Sequence, residues 1–223
     1  MLINNKELEV FNCRCIKFIP THSNYSNVNK EYFNPLAPLK GYNVENMRTL
    51  ETTFIFKGDH NQAERNRSRL IEEIKSCIIK NGDFIYLVNI SSSQPFERIT
   101  QFSHKQDIEF EILDMYEAEK SITTNKSTTI TINSPKPCYA NLEITASTGA
   151  INCTVTVNNT EIVVNNLKAN ETIYIGSGKV VASGKTKIDD VDIWEFPILR
   201  PGVNAIKVNR EDVNVIVKYN ERW

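Results

Sequence analysis

The stretch Asp192–Trp223, DIWEFPILRPGVNAIKVNREDVNVIVKYNERW, decides how this chain is read. Val213, Val215, Val217 and Tyr219 alternate with Asn214, Ile216 and Lys218, the period of two that a strand shows when one of its faces is buried. Pro201-Gly202 suits a type II turn, because proline presets φ at the first central position and glycine accepts a positive φ at the second. The stretch therefore reads as two or three strands joined by sharp turns, the closing hairpin of a β-sandwich. None of its residues forms a catalytic pattern.

The sequence just before it has the same character. After Ser134-Pro135-Lys136-Pro137, short β-branched runs recur with turn signals about every ten residues, the pattern of an all-β sandwich. Val155 and Val157 run into Asn158-Asn159, a pair tolerant of positive φ, and Ile162 and Val164 answer on the return strand. The proline pair and the polar Glu117–Asn133 segment predict a domain boundary here, with residues 1–133 before it and a sandwich of about eight strands over 134–223.

The N-terminal part is predicted to be β-rich with one helix. Leu2-Ile3, Leu8–Ile19, Met47–Lys57, Asp83–Ile90 and Ile108–Tyr116 read as strands. Asp59 and Gln62 form a capping box, and Leu70, Ile71, Ile74, Cys77 and Ile78 continue at helical spacing to Asn81-Gly82, predicting a helix over about 59–80. Residues 20–42 have no period and form a long loop. Its aromatics Tyr25, Tyr32 and Phe33 are the candidate subunit contacts, since a loop of that length is usually functional.

Composition narrows the function classes. The 223 residues carry a net charge of −1, so nothing draws the protein to phosphate or to anionic lipid at long range. Five scattered cysteines make an odd set, read as free thiols of a protein made in a reducing cytoplasm. The opening MLINNKELEV shows no signal peptide, and no apolar run approaches the ~18 residues that cross a bilayer.

No chemistry emerges from the motifs. Cys13-x-Cys15 lacks a second ligand pair for a metal. Gly178 to Lys185 resembles a P-loop, but five residues separate its glycines and strands flank it, so Ser183-Gly184-Lys185 reads as a hairpin turn. Asp189, Asp190 and Asp192 lack the glycine and distal glutamate of a calcium loop. Arg65, Arg67 and Arg69 spread around the helix instead of sharing a face. His22, His60 and His104 fit no catalytic pairing. The expectation is a protein that is not an enzyme, with no catalytic, metal or cofactor site.

The pattern Phe196-Pro197-x-Leu199-x-Pro201-Gly202-x-Asn204, with the ending Tyr219-Asn-Glu-Arg-Trp223, resembles the distal tail proteins of long-tailed bacteriophages. Asp114-Met115-Tyr116 stands where that family usually has an Asp-Pro-Tyr-like corner; Met115 departs from the proline. The resemblance covers nearly the whole chain, and its motifs are structural turns. It implies an N-terminal ring-forming domain and a C-terminal galectin-like β-sandwich. It further implies a hexameric ring at the tail tip, joining the tail tube and the end of the tape-measure protein to the tail-associated hub protein, and in many phages carrying the receptor-binding protein. DNA would pass the lumen without specific binding. A carbohydrate-binding sandwich, or another baseplate component of a phage or phage-like bacteriocin, is the alternative. In the former, Trp194 and Trp223 are the available platforms, although both sit in strand patterns that favour burial.

Overall fold

The computed structural model describes residues 1–21, 25–28, 42–45 and 48–223. They form two compact units, Met1–Met115 and Tyr116–Trp223. The chain is mainly β with one α-helix among the described residues, as the periodicities predict.

In the first unit β1 (Leu2–Ile3), β2 (Lys6–Glu7) and β3 (Cys13–Pro20) precede β4 (Tyr25–Val28) and β5 (Tyr42–Glu45), which pair with each other. β6 (Arg48–Lys57), α1 (His60–Ile74), β7 (Ser76–Asn81), β8 (Phe84–Ser93), β9 (Glu97–Thr100) and β10 (Ser103–Glu117) follow. One sheet runs in the order β2-β1-β7-β8-β10-β6-β3, and β9 adds to β10. Ala63, Leu70 and Ile74 on α1 bury against Leu50, Phe54 and Phe56 of β6 and Ile108 and Phe110 of β10, so the helix and the even-numbered positions of β10 share one core.

Two local readings change. The Asp59 carboxylate does cap the helix, accepting from the Gln62 amide at 2.9 Å, but α1 stops at Ile74 and does not run to residue 80. Cys77 continues the helical spacing of Leu70 and Ile74, but Cys77 and Ile79 also alternate, and ladder partners on β1 and β8 take Ser76–Asn81 as a strand. Leu8–Phe11 is a 3-10 turn, not strand, ended by Asn12 at φ 48°. Of the loop aromatics, Tyr32, Phe33 and the side chain of Tyr25 lie outside the described residues.

The second unit begins earlier than the proline pair suggests, because β11 (Lys120–Thr124) and β12 (Thr128–Ile132) pair with the C-terminal strands. β13 (Cys138–Tyr139), β14 (Asn141–Ala146), β15 (Ala150–Val157), β16 (Thr160–Leu167), β17 (Thr172–Gly176), β18 (Lys179–Ala182), β19 (Lys185–Thr186), β20 (Val191–Ile193), β21 (Ile198–Leu199), β22 (Gly202–Val208) and β23 (Val213–Tyr219) complete it. Six strands in the order β11-β23-β14-β17-β18-β19 form one sheet, and five in the order β12-β22-β15-β16-β20 form the other. Their inward residues, among them Leu142, Ile144, Val215 and Val217 from the first and Val155, Ile162, Val164 and Ile206 from the second, make one sandwich core.

Turn chemistry is as expected. Asn158-Asn159 closes β15 on β16 with Asn158 at φ 54°, and Ser183-Gly184 closes β18 on β19 with both residues at positive φ. The P-loop-like segment is thus a hairpin. The closing hairpin of the chain is not one, however. β22 pairs with β12 and β15, whereas β23 pairs with β11 and β14 in the opposite sheet. Residues 202–219 form an arch across the sandwich. Alternation reports which face of a strand is buried and is silent on its partner.

Candidate functional site

All the family-motif residues but Asp114 lie in the second unit, in two constructions. The first is the turn around Pro201-Gly202. Gly202 has φ +91°, the left-handed region that glycine enters without penalty. Asn204, 1% exposed, fills the inside of this turn. Its Oδ1 accepts the Arg200 amide at 2.8 Å and Asn158 Nδ2 at 2.8 Å, while its Nδ2 donates to the Arg200 carbonyl at 2.7 Å and the Gly202 carbonyl at 2.9 Å. An amide side chain has two donors and room for two bonds at its oxygen, so all four are used. Asn158 in turn accepts the Ala205 amide at 3.0 Å, which locks the β15–β16 turn to the start of β22. Leu199 is buried in the core, Phe196 packs against it, and the Pro197 carbonyl accepts from the Ala140 amide at 2.9 Å.

The second construction is a clasp made by the last five residues. Glu221 is 1% exposed, and its carboxylate accepts the backbone amides of Asn133 and Ser134, both at 3.0 Å, and Lys120 Nζ at 2.8 Å. Lys120 also meets Glu117 at 2.8 Å, and these two carboxylates raise the pKa of its ammonium. The Glu117 amide donates to the Glu221 carbonyl at 2.9 Å, and Trp223 Nε1 donates to the Glu117 side chain at 2.9 Å. Tyr116 bridges Arg222, so the tail end ties down the segment through which the chain enters this unit. Asp114, in the first unit, accepts the Met115 amide at 3.0 Å. Glu221, Lys120 and Glu117 were not singled out from the sequence. An acid two residues past a strand's last buried tyrosine is indistinguishable from a solvated tail until its partners are known.

Titratable groups elsewhere act structurally. Burial pushes the Cys13 and Cys77 thiols up to about 12 and the Cys138 thiol up to about 11, which keeps them protonated and unreactive. Asp190 pairs with Lys187 at 2.9 Å and Asp192 accepts from Asn165 at 3.1 Å, so the acidic triplet is split between separate partners. On α1, Arg67 bonds the buried Gln106 at 2.6 Å and lies 5.3 Å over the Phe96 ring, whereas Arg69 lies over Phe11.

His104 is the one buried imidazole among the described residues, stacked on Phe96 at 5.2 Å with His60 at 5.4 Å, and neither of its nitrogens has a hydrogen-bond partner. Burial, then the neighbouring His60 and Arg98, lower its pKa below the ordinary 6.5, with Glu64 and Asp59 opposing. The unfolded chain therefore binds a proton that the folded chain refuses, and stability falls as pH drops through about 6.5. His104→Phe is expected to remove that slope. Urea unfolding of the two proteins at pH 7.5 and 5.5, followed by hydrogen exchange of the β6 and β10 amides, should show the wild type losing more than the variant. Equal losses would mean that His104 does not titrate.

Comparison with known proteins identifies this architecture. Residues 133–223 match the family described as siphovirus-type tail component, C-terminal domain. The sandwich with the Asn204 turn and the clasp is therefore the part of the chain that is similar to a phage tail component. The solved structure of the SPP1 Dit protein, a hub of the adsorption apparatus in phages that infect Gram-positive bacteria, superposes with a TM-score of 0.76 at 12% identity, covering 100% of this chain and 98% of that one. A chain of the phage p2 baseplate in its activated conformation with Sr matches at a TM-score of 0.51 and 11% identity over 93% of this chain and 90% of its own. No curated protein matches by sequence. The chain thus has the fold of the SPP1 Dit protein along its whole length, and its last 91 residues match a phage tail-component domain.

Proposed function

We propose that the protein is a non-enzymatic structural part of the tail tip that assembles as a hexameric ring, joining the tail tube and the tape-measure end to the tail-associated hub protein and the receptor-binding apparatus. The observation that carries this reading is the extent of the Dit fold: the match spans the N-terminal sheet as well as the tail-family sandwich. The first unit supplies the ring, with the loop aromatics Tyr25, Tyr32 and Phe33 as subunit contacts. The ring encloses a channel that DNA crosses without specific contact. The near-neutral charge supports this, as does the polar face of the N-terminal sheet, where Lys17 pairs with Glu51 at 2.6 Å and Lys105 with Asp107 at 2.5 Å. Sedimentation velocity and negative-stain imaging of the full chain test the proposal. Six copies in a closed ring are expected, and a monomer or a trimer at micromolar concentration would count against it.

A further inference from the structure

The motif around Pro201-Gly202 sorts its residues by face. Pro197, Leu199 and Asn204 are buried and Phe196 packs on the sandwich core, whereas the positions the motif leaves open, Ile198, Arg200 and Val203, are all exposed. Tyr139 stands directly across the β13–β21 ladder from Ile198 and is exposed with it. Thr131, the ladder partner of Val203 on β12, is exposed as well. The inward residues thus build a frame, and the outward ones are what it presents.

That frame is held tightly. Asn204 ties the Arg200 amide and carbonyl to the Gly202 carbonyl, and Asn158 Nδ2 reaches Asn204 Oδ1 at 2.8 Å and the Ile198 carbonyl at 3.4 Å. β21, which carries Ile198, is therefore fixed to β22, which carries Val203. A Cβ added at Gly202 would meet nothing within 4 Å, so the turn stands out into solvent.

The exposed side chains are of one kind. Tyr139 is 57% exposed, Ile198 37% and Val203 73%, against 0% for Leu199 and 2% for Cys138 on the inner face. Residues 138–140 and 196–204 carry one charge among twelve, Arg200, in a chain where 24% of residues are charged. No carboxylate pairs with Arg200 among the described residues. An aromatic, an arginine and branched aliphatics, with no lysine or acid, make the composition of a protein interface at its centre. Small ligands take concave sites, and this is a projecting turn. A knob already ordered by its own hydrogen bonds loses little entropy on docking.

Charge selects the occupant. In a two-fold contact between copies the knob would meet itself and set Arg200 against Arg200, which repels. A different partner can supply the carboxylate that the guanidinium lacks, and the planar fork of arginine takes one as a bidentate pair.

We propose that Tyr139, Ile198, Arg200 and Val203, with Pro201 and Thr131 at the margin, form a docking knob for a different protein of the tail, one whose surface offers an apolar cleft with a carboxylate on its rim. The inward motif positions set the shape of the knob, and the three open positions set which partner it accepts. This inference rests on the reading of the chain as a tail part, and not on the number of copies in the ring.

Hydroxyl-radical footprinting read by mass spectrometry tests it on the isolated full chain and on tail particles purified from the phage. Oxidation of Tyr139 and of the 198–203 segment is expected to be high in the isolated chain and to fall about tenfold in the particles, because the centre of an interface excludes water. Equal oxidation of Tyr139 in both would overturn the proposal. Protection already present when the isolated chain self-assembles would also overturn it, since a second copy would then be the occupant. Absence of the chain from the particles would overturn this proposal and the tail reading together. Complementation of a phage defective in its own copy gives a second measure. Arg200→Glu and Val203→Asp should keep an unfolding midpoint close to wild type, because both side chains lie in water, yet lower the yield of complete tails by about tenfold or more. Wild-type yield from both variants would refute the docking role.

Discussion

Replacing Asn204 by alanine is expected to destabilise the second unit by about 3–5 kcal/mol. The side chain itself contributes little apolar area. The cost arises because its removal takes a bond from the Arg200 amide and carbonyl, the Gly202 carbonyl and Asn158 Nδ2, of which Asn158 Nδ2 keeps only a long bond to the Ile198 carbonyl at 3.4 Å. Each buried polar group left without a bond costs about 1–3 kcal/mol, and part of that is recovered by relaxation or entering water. Asn204→Asp is the sharper variant. It keeps the shape but turns the Nδ2 donor into a second acceptor facing two carbonyls, so it should be no better than alanine. Both tryptophans of the chain, Trp194 and Trp223, lie in this unit, so urea unfolding followed by tryptophan fluorescence reports on it selectively. With a slope near 2 kcal/mol per molar, the midpoint should fall by roughly 2 M. A loss below about 1 kcal/mol would mean that Pro201 and Gly202 hold the turn without the asparagine.

Glu221→Ala is expected to cost a comparable amount, about 3–5 kcal/mol, for a different reason. Here a buried carboxylate compensates two backbone amides and a lysine at once, and removing one member of a buried charged set is far more costly than never having built it. Lys120 retains Glu117, which softens the loss on the lysine side. Asn133 and Ser134 lose the side-chain acceptor that both of their amides share. Glu221→Gln keeps one acceptor oxygen and should lose only about 1–2 kcal/mol. A midpoint for Glu221→Gln as low as that for Glu221→Ala would indicate that the negative charge, and not the geometry of the acceptor, holds the clasp. Proteolysis offers a second measure: the 117–134 segment should become the first cleavage region in Glu221→Ala, because the clasp is what pins it.

How far the sequence reaches is visible in these two residues. Asn204 was marked by its place in the tail-protein motif, three residues past Pro201, and not by any local reading of the turn. Glu221 was not, because its partners lie 87 to 101 residues away and no local pattern records them. The same distinction separates the correct helix start from its wrong end. The Asp59 cap is a bond across three residues, whereas the stop at Ile74 is imposed by β1 and β8, which claim Ser76–Asn81 for the sheet. Trp194 illustrates the opposite failure, since an apolar residue in a strand pattern is read as buried when only its position at the edge of β20 places it in water.

By itself the sequence determined what depends on neighbours along the chain: the alternation of Val213 to Tyr219, the turns at Asn158-Asn159, Ser183-Gly184 and Pro201-Gly202, the helix cap, and through these the mainly β class and the tail-protein motif. Tertiary structure alone decided partnership. It sent β22 and β23 to opposite sheets, drew residues 120–132 into the second unit, and folded the Glu221 carboxylate over the amides of Asn133 and Ser134. The reason is that backbone sterics and side-chain periodicity act over a few residues, whereas strand pairing and burial of charge are settled by segments that meet only when the chain closes on itself.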